Sequence, residues 1–128
     1  MFWIKRHLYY QIKRGEVAVT LLEGGKTISK KCGALNHPRT LMGDFVEIEE
    51  CFKSIASELA PRRYLLQDPT AIVHLLVDVE GGHTNIEIRA FREAALGAGA
   101  RETFVPKSTS KLSESQILNR EFTEWDGV

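Results

Sequence analysis

The chain has 128 residues, of which 43% are hydrophobic and 27% charged, the composition of one ordinary globular domain. Its 17 basic and 17 acidic residues give a net charge of zero, whereas proteins that bind nucleic acid by neutralising phosphates normally have a basic excess. We therefore expect no nucleic-acid partner. No apolar run approaches the roughly 18 residues of a membrane span, and the first residues lack the apolar segment of a secretory signal.

Cysteine and histidine usage points away from a disulfide-stabilised or metal-binding protein. The two cysteines, Cys32 and Cys51, are too few for a disulfide framework, so we expect a cytoplasmic protein with reduced thiols. His37, His74 and His83 do not have the short-pair spacing of metal ligands, and the sequence predicts no metal site. No serine or cysteine lies in a recognisable nucleophile motif, so nothing indicates covalent catalysis.

The first part of the chain is predicted to be a β meander. Strand-like runs lie at residues 8–13 and 17–22, and the turn signal at residues 23–26 separates the second from a weaker run at 26–32. Residues 32–39 are predicted to form a loop.

Helices and strands alternate in the next part of the chain. Residues 44–59 place apolar side chains at three- and four-residue steps, which predicts a helix that begins at Asp44. The nearly continuous apolar run at 71–79 is typical of a central strand that is covered on both faces. Thr84 and Glu87 have the spacing of a capping box, which predicts a second helix from this point.

The last part of the chain completes an α/β pattern. Residues 102–106 are predicted to form a short strand, and residues 107–111 a polar connector to a C-terminal helix. Ser113 and Gln116 form the capping box of that helix. Residues 1–128 thus predict a single module in which helices pack on a mixed sheet.

Two motifs resemble the bacterial actin homologue MreB, the rod shape-determining family. In that family a Thr-x-Val-Glu-Arg-Arg-Ala helix ends in Gly-Ala-Gly-Ala-Arg-Glu and continues into the next strand. This chain has Thr84-Asn-Ile-Glu-Ile-Arg-Ala and Gly97-Ala-Gly-Ala-Arg-Glu. The preceding helix begins with Gly43-Asp-Phe-Val-Glu-Ile-Glu, which is similar to the family's Ala-Asp-Phe-x-x-Thr-Glu.

The resemblance implies a ribonuclease H-like or actin-like half-domain that corresponds to subdomain IA of the family. The small inserted subdomain would be reduced to the loop at 36–42, and the sequence has no counterpart of the second lobe, which holds most of the nucleoside pocket. The family's first phosphate loop has Asp-Leu-Gly-Thr, and the matching positions here run from Lys13 to Glu16 with only Gly15 in common. Because a carboxylate facing phosphate repels it, this loop is not expected to keep its original use.

Glu87 is the candidate catalytic residue. It matches the helix glutamate that the family places near the attacking water, but the capping box explains its spacing without any catalysis. The segment 78–84 also resembles the Asp-x-Gly-x-Gly-Thr hairpin of actin-like ATPases, which would bring Gly81, Gly82 and Thr84 to phosphate. In that alternative the residues after Thr84 form a strand instead of a helix.

The N-terminus is a candidate membrane-contact segment. Phe2, Trp3 and Ile4 are apolar, and Lys5 and Arg6 follow them, a combination that suits a bilayer interface with anionic lipids. The resemblance agrees, since some MreB proteins have a short amphipathic N-terminal segment. The alternative is a strand or terminal arm that packs Trp3 and Tyr9 into the domain.

These observations favour a non-catalytic function. We expect an MreB-related module without a cofactor that binds a second copy of itself or another protein, in cell-shape or cytoskeletal organisation. The alternative is a module that binds ATP and magnesium in a site completed across a dimer, with Glu87 orienting water. The expected location is the cytoplasm, with a peripheral membrane contact at its inner face.

Overall fold

The computed structural model describes residues 5–61 and 68–125. The predicted membrane-contact residues Phe2, Trp3 and Ile4 lie outside the described residues. The elements are β1 (His7–Lys13), β2 (Glu16–Leu21), β3 (Lys26–Lys31), α1 (Phe45–Leu59), β4 (Thr70–Leu75), α2 (Asn85–Gly97), β5 (Glu102–Phe104) and α3 (Glu114–Leu118).

The five strands form one mixed sheet in the order β3-β2-β1-β4-β5. β1 pairs antiparallel with β2, and β2 pairs antiparallel with β3, as expected of the predicted meander. β4 lies parallel to β1 and β5 lies parallel to β4. The prediction of an α/β protein with a mixed sheet and packed helices is therefore confirmed.

Two segments differ from their predictions for reasons that lie in their neighbours. The strand predicted at 71–79 ends at Leu75, because its partner β1 ends at Lys13 and β5 pairs only with Thr70–Ile72. The loop predicted at 32–39 contains a short 3₁₀ helix, Gly33–Asn36, which buries Leu35 completely.

The larger part of the core lies between the sheet and the helices α1 and α2. Alternate residues of β1 point to this side, so Tyr10 packs against Phe52 of α1 with ring centroids 4.7 Å apart. Phe52 also stacks on Phe91 of α2 at 6.5 Å. This aromatic row joins the sheet to both helices.

The opposite face of the sheet is covered by the chain around α3. Tyr9 and Ile72 form a second apolar cluster with Leu112 and Ile117, which flank the start of α3. The capping box of Ser113 and Gln116 is present as predicted. The three layers are thus the α1–α2 pair, the sheet, and the α3 segment.

A buried hydrogen-bond chain fastens the connector 107–111 to the sheet. The Leu112 amide donates to the Tyr9 hydroxyl at 3.0 Å, and that hydroxyl bonds His74 Nδ1 at 2.7 Å. His74 Nε2 lies 2.5 Å from the Ser108 carbonyl oxygen, which only accepts, so this nitrogen donates. Because burial favours the neutral form of His74, its Nδ1 accepts from the Tyr9 hydroxyl.

Acid is expected to destabilise the protein through His74. Burial lowers the pKa of His74, and the hydrogen bond to Ser108 offsets only part of that effect. In the unfolded chain His74 is protonated with an ordinary pKa near 6.5, whereas in the folded chain its pKa is lower. The free energy of unfolding therefore falls as the pH drops below about 6.5. Denaturant unfolding of the wild type and a His74→Gln variant between pH 7.5 and 5 measures this loss; parallel curves would refute it.

Gly43 occupies a position where a side chain does not fit. Its amide donates to the Ala34 carbonyl at 3.0 Å, and a Cβ placed on Gly43 would lie 2.4 Å from that oxygen. Gly43→Ala is expected to lower the free energy of unfolding by about 2 kcal/mol, because the backbone at Ala34 or at position 43 must move to make room for the methyl group. Gly33→Ala, where a Cβ meets nothing within 4 Å, is the control in chemical denaturation. Equal losses in both variants would rule out this explanation.

Candidate functional site

A polar cavity of about 430 Å³ lies where the segments that precede α1 and α2 meet. It brings together three residues with predicted roles, Gly82, Thr84 and Glu87. The predicted residues Gly15, Glu16 and Gly81 do not line it. Its other lining residues are Arg14, Pro38, Arg39, Thr40, Leu41, Asp78, Val79 and Glu80.

Glu87 is held at this cavity by hydrogen bonds within the protein. Its Oε1 accepts from the Thr84 amide at 2.9 Å and from the Thr84 hydroxyl at 3.0 Å. The Thr40 hydroxyl donates to Oε2. This confirms the predicted capping box and adds a contact from the chain before α1, which the local sequence pattern does not reveal.

The surroundings of Glu87 favour its ionised carboxylate. Burial raises the pKa of the carboxyl, but the hydrogen bonds from Thr40 and Thr84 and the nearby His83 outweigh this and lower the pKa below its ordinary value. A carboxylate with a lowered pKa accepts a proton less readily, and both of its oxygens already have donors. The arrangement therefore fits a structural carboxylate.

The alternative that placed a hairpin strand after Thr84 is wrong. Asn85–Gly97 is an α-helix, because the capping box and the apolar stripe of Ile88, Phe91 and Ala95 together outweigh the short alternation that follows Thr84. The Gly82 amide donates to the Val79 carbonyl at 2.9 Å. This amide is thus used in the turn that precedes the helix.

In the turn that matches the first phosphate loop, the backbone groups of Gly15 are likewise hydrogen-bonded within the protein. Gly15 has a φ of 78°, which favours glycine, and its amide donates to the Leu35 carbonyl at 3.0 Å. Its carbonyl accepts from the Cys32 amide at 2.9 Å. Both backbone polar groups of Gly15 are thus bonded within the protein.

The charges around the cavity are mixed. The lining contains Arg14 and Arg39 as well as three acidic residues, so neither a phosphate nor a cation meets charge of one sign; the acidic residues are Asp78, Glu80 and Glu87. Arg14 also donates to the His37 carbonyl at 3.1 Å. Within residues 5–61 and 68–125, no group of three or more His, Cys, Asp or Glu side chains has the geometry of a metal site.

The predicted membrane-contact segment is described only at its end. Lys5 is exposed, whereas Arg6 is half-buried and its guanidinium donates to the Pro61 carbonyl at 3.2 Å. Arg6 therefore contacts the protein's own backbone. In the part of the chain that the structure describes, no helix is both long and apolar enough to cross a membrane.

Exposed apolar side chains lie in the first turns of both long helices. Val46 is 61% exposed in the first turn of α1, and Ile86 is 77% exposed in the first turn of α2. Thr40, in the segment before α1, bonds Glu87 in the first turn of α2, and the two helices pack against each other. This site was missed by the sequence analysis, because periodicity places a residue on a helix face without showing what covers that face.

Comparison with known proteins identifies no family for this chain. A scan against protein-family models found no match, and a search of curated proteins found no significant relative. The resemblance to MreB therefore rests on the motif residues, and a functional interpretation has to come from the geometry of the site.

Proposed function

We propose that the chain is a non-catalytic protein-association module of the MreB-related, actin-like half-domain class, whose partner is a second copy of the chain. The sheet topology supports the fold assignment. An antiparallel meander followed by parallel strands joined through helices is the arrangement that the resemblance implies. The corresponding role is cell-shape or cytoskeletal organisation at the cytoplasmic face of the membrane.

The observation that carries the proposal is the contrast between the satisfied polar groups of the cavity and the exposed apolar side chains in the first turns of α1 and α2. Inside, the Gly82 and Thr84 amides and the Glu87 carboxylate are satisfied by the chain's own groups. In the first turns of α1 and α2, Val46 and Ile86 expose apolar surface. Polar groups without spare donors bind ligands weakly, whereas exposed apolar side chains on a rigid element gain free energy when a partner covers them.

Self-association is expected to depend on Val46 and Ile86. The double variant Val46→Ser/Ile86→Ser should weaken it by about tenfold or more, since each apolar side chain contributes on the order of 1 kcal/mol when buried. Both positions are exposed, so folding should be unaffected. Sedimentation velocity over a wide concentration range measures the change.

Leu118 supplies a matched control for that experiment. It is 45% exposed on α3, which packs on the opposite face of the sheet, so Leu118→Ser should leave association unchanged. A wild-type chain that stays monomeric throughout, or an unchanged double variant, would remove the support for the proposed interface.

A nucleotide site shared across a dimer is the second candidate. The observation that favours it is the cavity, which gathers Gly82, Thr84 and Glu87 with the guanidinium side chains of Arg14 and Arg39. In this candidate, replacing Lys13 by Asp and Glu16 by Thr restores the family's loop and should raise the affinity for Mg-ATP. Unchanged affinity in that double variant would dismiss the shared site.

A further inference from the structure

The two cysteines of the chain are adjacent in space. Cys32 follows β3 and precedes the 3₁₀ helix, and Cys51 lies in the middle of α1. Their Sγ atoms are 3.0 Å apart, although 19 positions separate them in the sequence. Both are free thiols. The proximity arises because α1 crosses the sheet over β2 and β3, which places Cys51 above the end of β3.

We propose that Cys32 and Cys51 are an oxidation site, at which a peroxide converts the two thiols into one reversible intramolecular disulfide. The inference rests on the geometry of the thiol pair and is independent of the proposed association function. It revises the expectation that both thiols stay reduced.

The reaction balances in two steps with hydrogen peroxide. The Cys51 thiolate attacks one peroxide oxygen, the O–O bond breaks, and a sulfenic acid forms with release of hydroxide. The Cys32 sulfur then attacks the Cys51 sulfur, an S–S bond forms and the S–O bond breaks. The displaced oxygen leaves as water with the Cys32 proton. In total, two thiols lose two electrons and the peroxide becomes two waters.

Solvent accessibility indicates which of the two sulfurs reacts with peroxide first. Cys51 is half-buried, whereas Cys32 is only 2% exposed. Burial raises the pKa of Cys32 to about 12, and the adjacent Cys51 thiol acts in the same direction. A protonated, buried thiol reacts slowly with peroxide in solution, but it is well placed to resolve a sulfenic acid that forms beside it.

The disulfide would close the segment between β3 and α1. That segment contains Arg39, Thr40 and Leu41, which form one wall of the polar cavity. Cross-linking Cys32 to Cys51 restricts the unfolded chain, so the oxidised protein should melt on the order of 10 °C higher than the reduced protein. The bond length of a disulfide, about 2.05 Å, requires the two sulfurs to approach by roughly 1 Å.

Peptide mapping of the full-length protein tests the proposal. The reduced chain is treated with hydrogen peroxide and then denatured, remaining thiols are blocked with iodoacetamide, and the protein is digested with trypsin without reductant. Cleavage after Lys31, Arg39 and Lys53 leaves Cys32 and Cys51 on separate peptides. We expect one species in which these two peptides are linked, formed in the monomer and lost when dithiothreitol is added.

Single variants distinguish the cysteine that reacts with peroxide from the cysteine that resolves the sulfenic acid. In Cys32→Ser, peroxide should leave a Cys51 sulfenic acid that dimedone traps, whereas in Cys51→Ser the buried Cys32 should survive peroxide as a thiol that iodoacetamide alkylates after denaturation. Three outcomes overturn the proposal: both wild-type thiols survive peroxide, Cys51 proceeds to sulfinic acid without a cross-link, or the cross-link joins two chains. The wild-type mapping decides the matter even if a variant fails to fold.

Discussion

Phe52→Ala is expected to lower the free energy of unfolding by about 3–5 kcal/mol, enough to threaten folding of a domain of this size. Phe52 is completely buried and its ring contacts the rings of Tyr10 and Phe91. Removing the ring leaves a cavity between the sheet and both helices. It also abolishes the aromatic packing with Tyr10 and Phe91, which stabilises the fold beyond the burial of apolar area.

Phe45→Ala is the matched control, since it makes the same chemical change on the same helix. Phe45 is 37% exposed at the first position of α1, so its loss should cost about 1 kcal/mol. Urea denaturation followed by circular dichroism gives both values. Similar losses at the two positions would show that Phe52 is not the centre of the core.

Tyr9→Phe should lower the free energy of unfolding by about 2–4 kcal/mol, the second largest effect that the structure predicts. The Tyr9 hydroxyl accepts the Leu112 amide proton and donates to His74 Nδ1. Its removal leaves two buried polar groups without partners, and each such group costs about 1–3 kcal/mol. The ring and its apolar contacts are unchanged, so the loss reports the hydroxyl alone.

Tyr10→Phe serves as the control for Tyr9→Phe, because the hydroxyl of the buried Tyr10 has no hydrogen-bond partner among the described residues. Its stability should change by less than about 1 kcal/mol. Amide hydrogen exchange supplies a second readout. Relative to the wild type, Tyr9→Phe should raise the exchange rates of the α3 amides more than those of the α1 amides, since the chain from Ser108 to Leu112 loses its attachment to the sheet. A uniform rate increase would contradict a local role.

The parts of the fold that the sequence predicts correctly depend on local chemistry. The capping boxes at Thr84 and Ser113 and the cap at Asp44 are formed within one helical turn, so the residue types alone predict them. The end of β4 at Leu75 is different. It depends on where β1 and β5 stop, and no apolar run contains that information.

The candidate site is less predictable because it depends on contacts between distant segments. Thr40 and Glu87 are 47 positions apart, and no local pattern indicates that they share a hydrogen bond. The same holds for Cys32 and Cys51, whose proximity follows from the crossing of α1 over the meander. The closure of the turn at Gly15 by Leu35 likewise requires the folded chain.

The most direct test of the central claim is calorimetric titration of the purified protein with Mg-ATP over a wide concentration range. The cavity's amides and the Glu87 carboxylate are bound by the chain itself, so we expect no detectable binding up to millimolar nucleotide. Binding in the micromolar range, about 8 kcal/mol, would contradict this account. It would show that a complete phosphate site exists and make the shared-site dimer the better explanation.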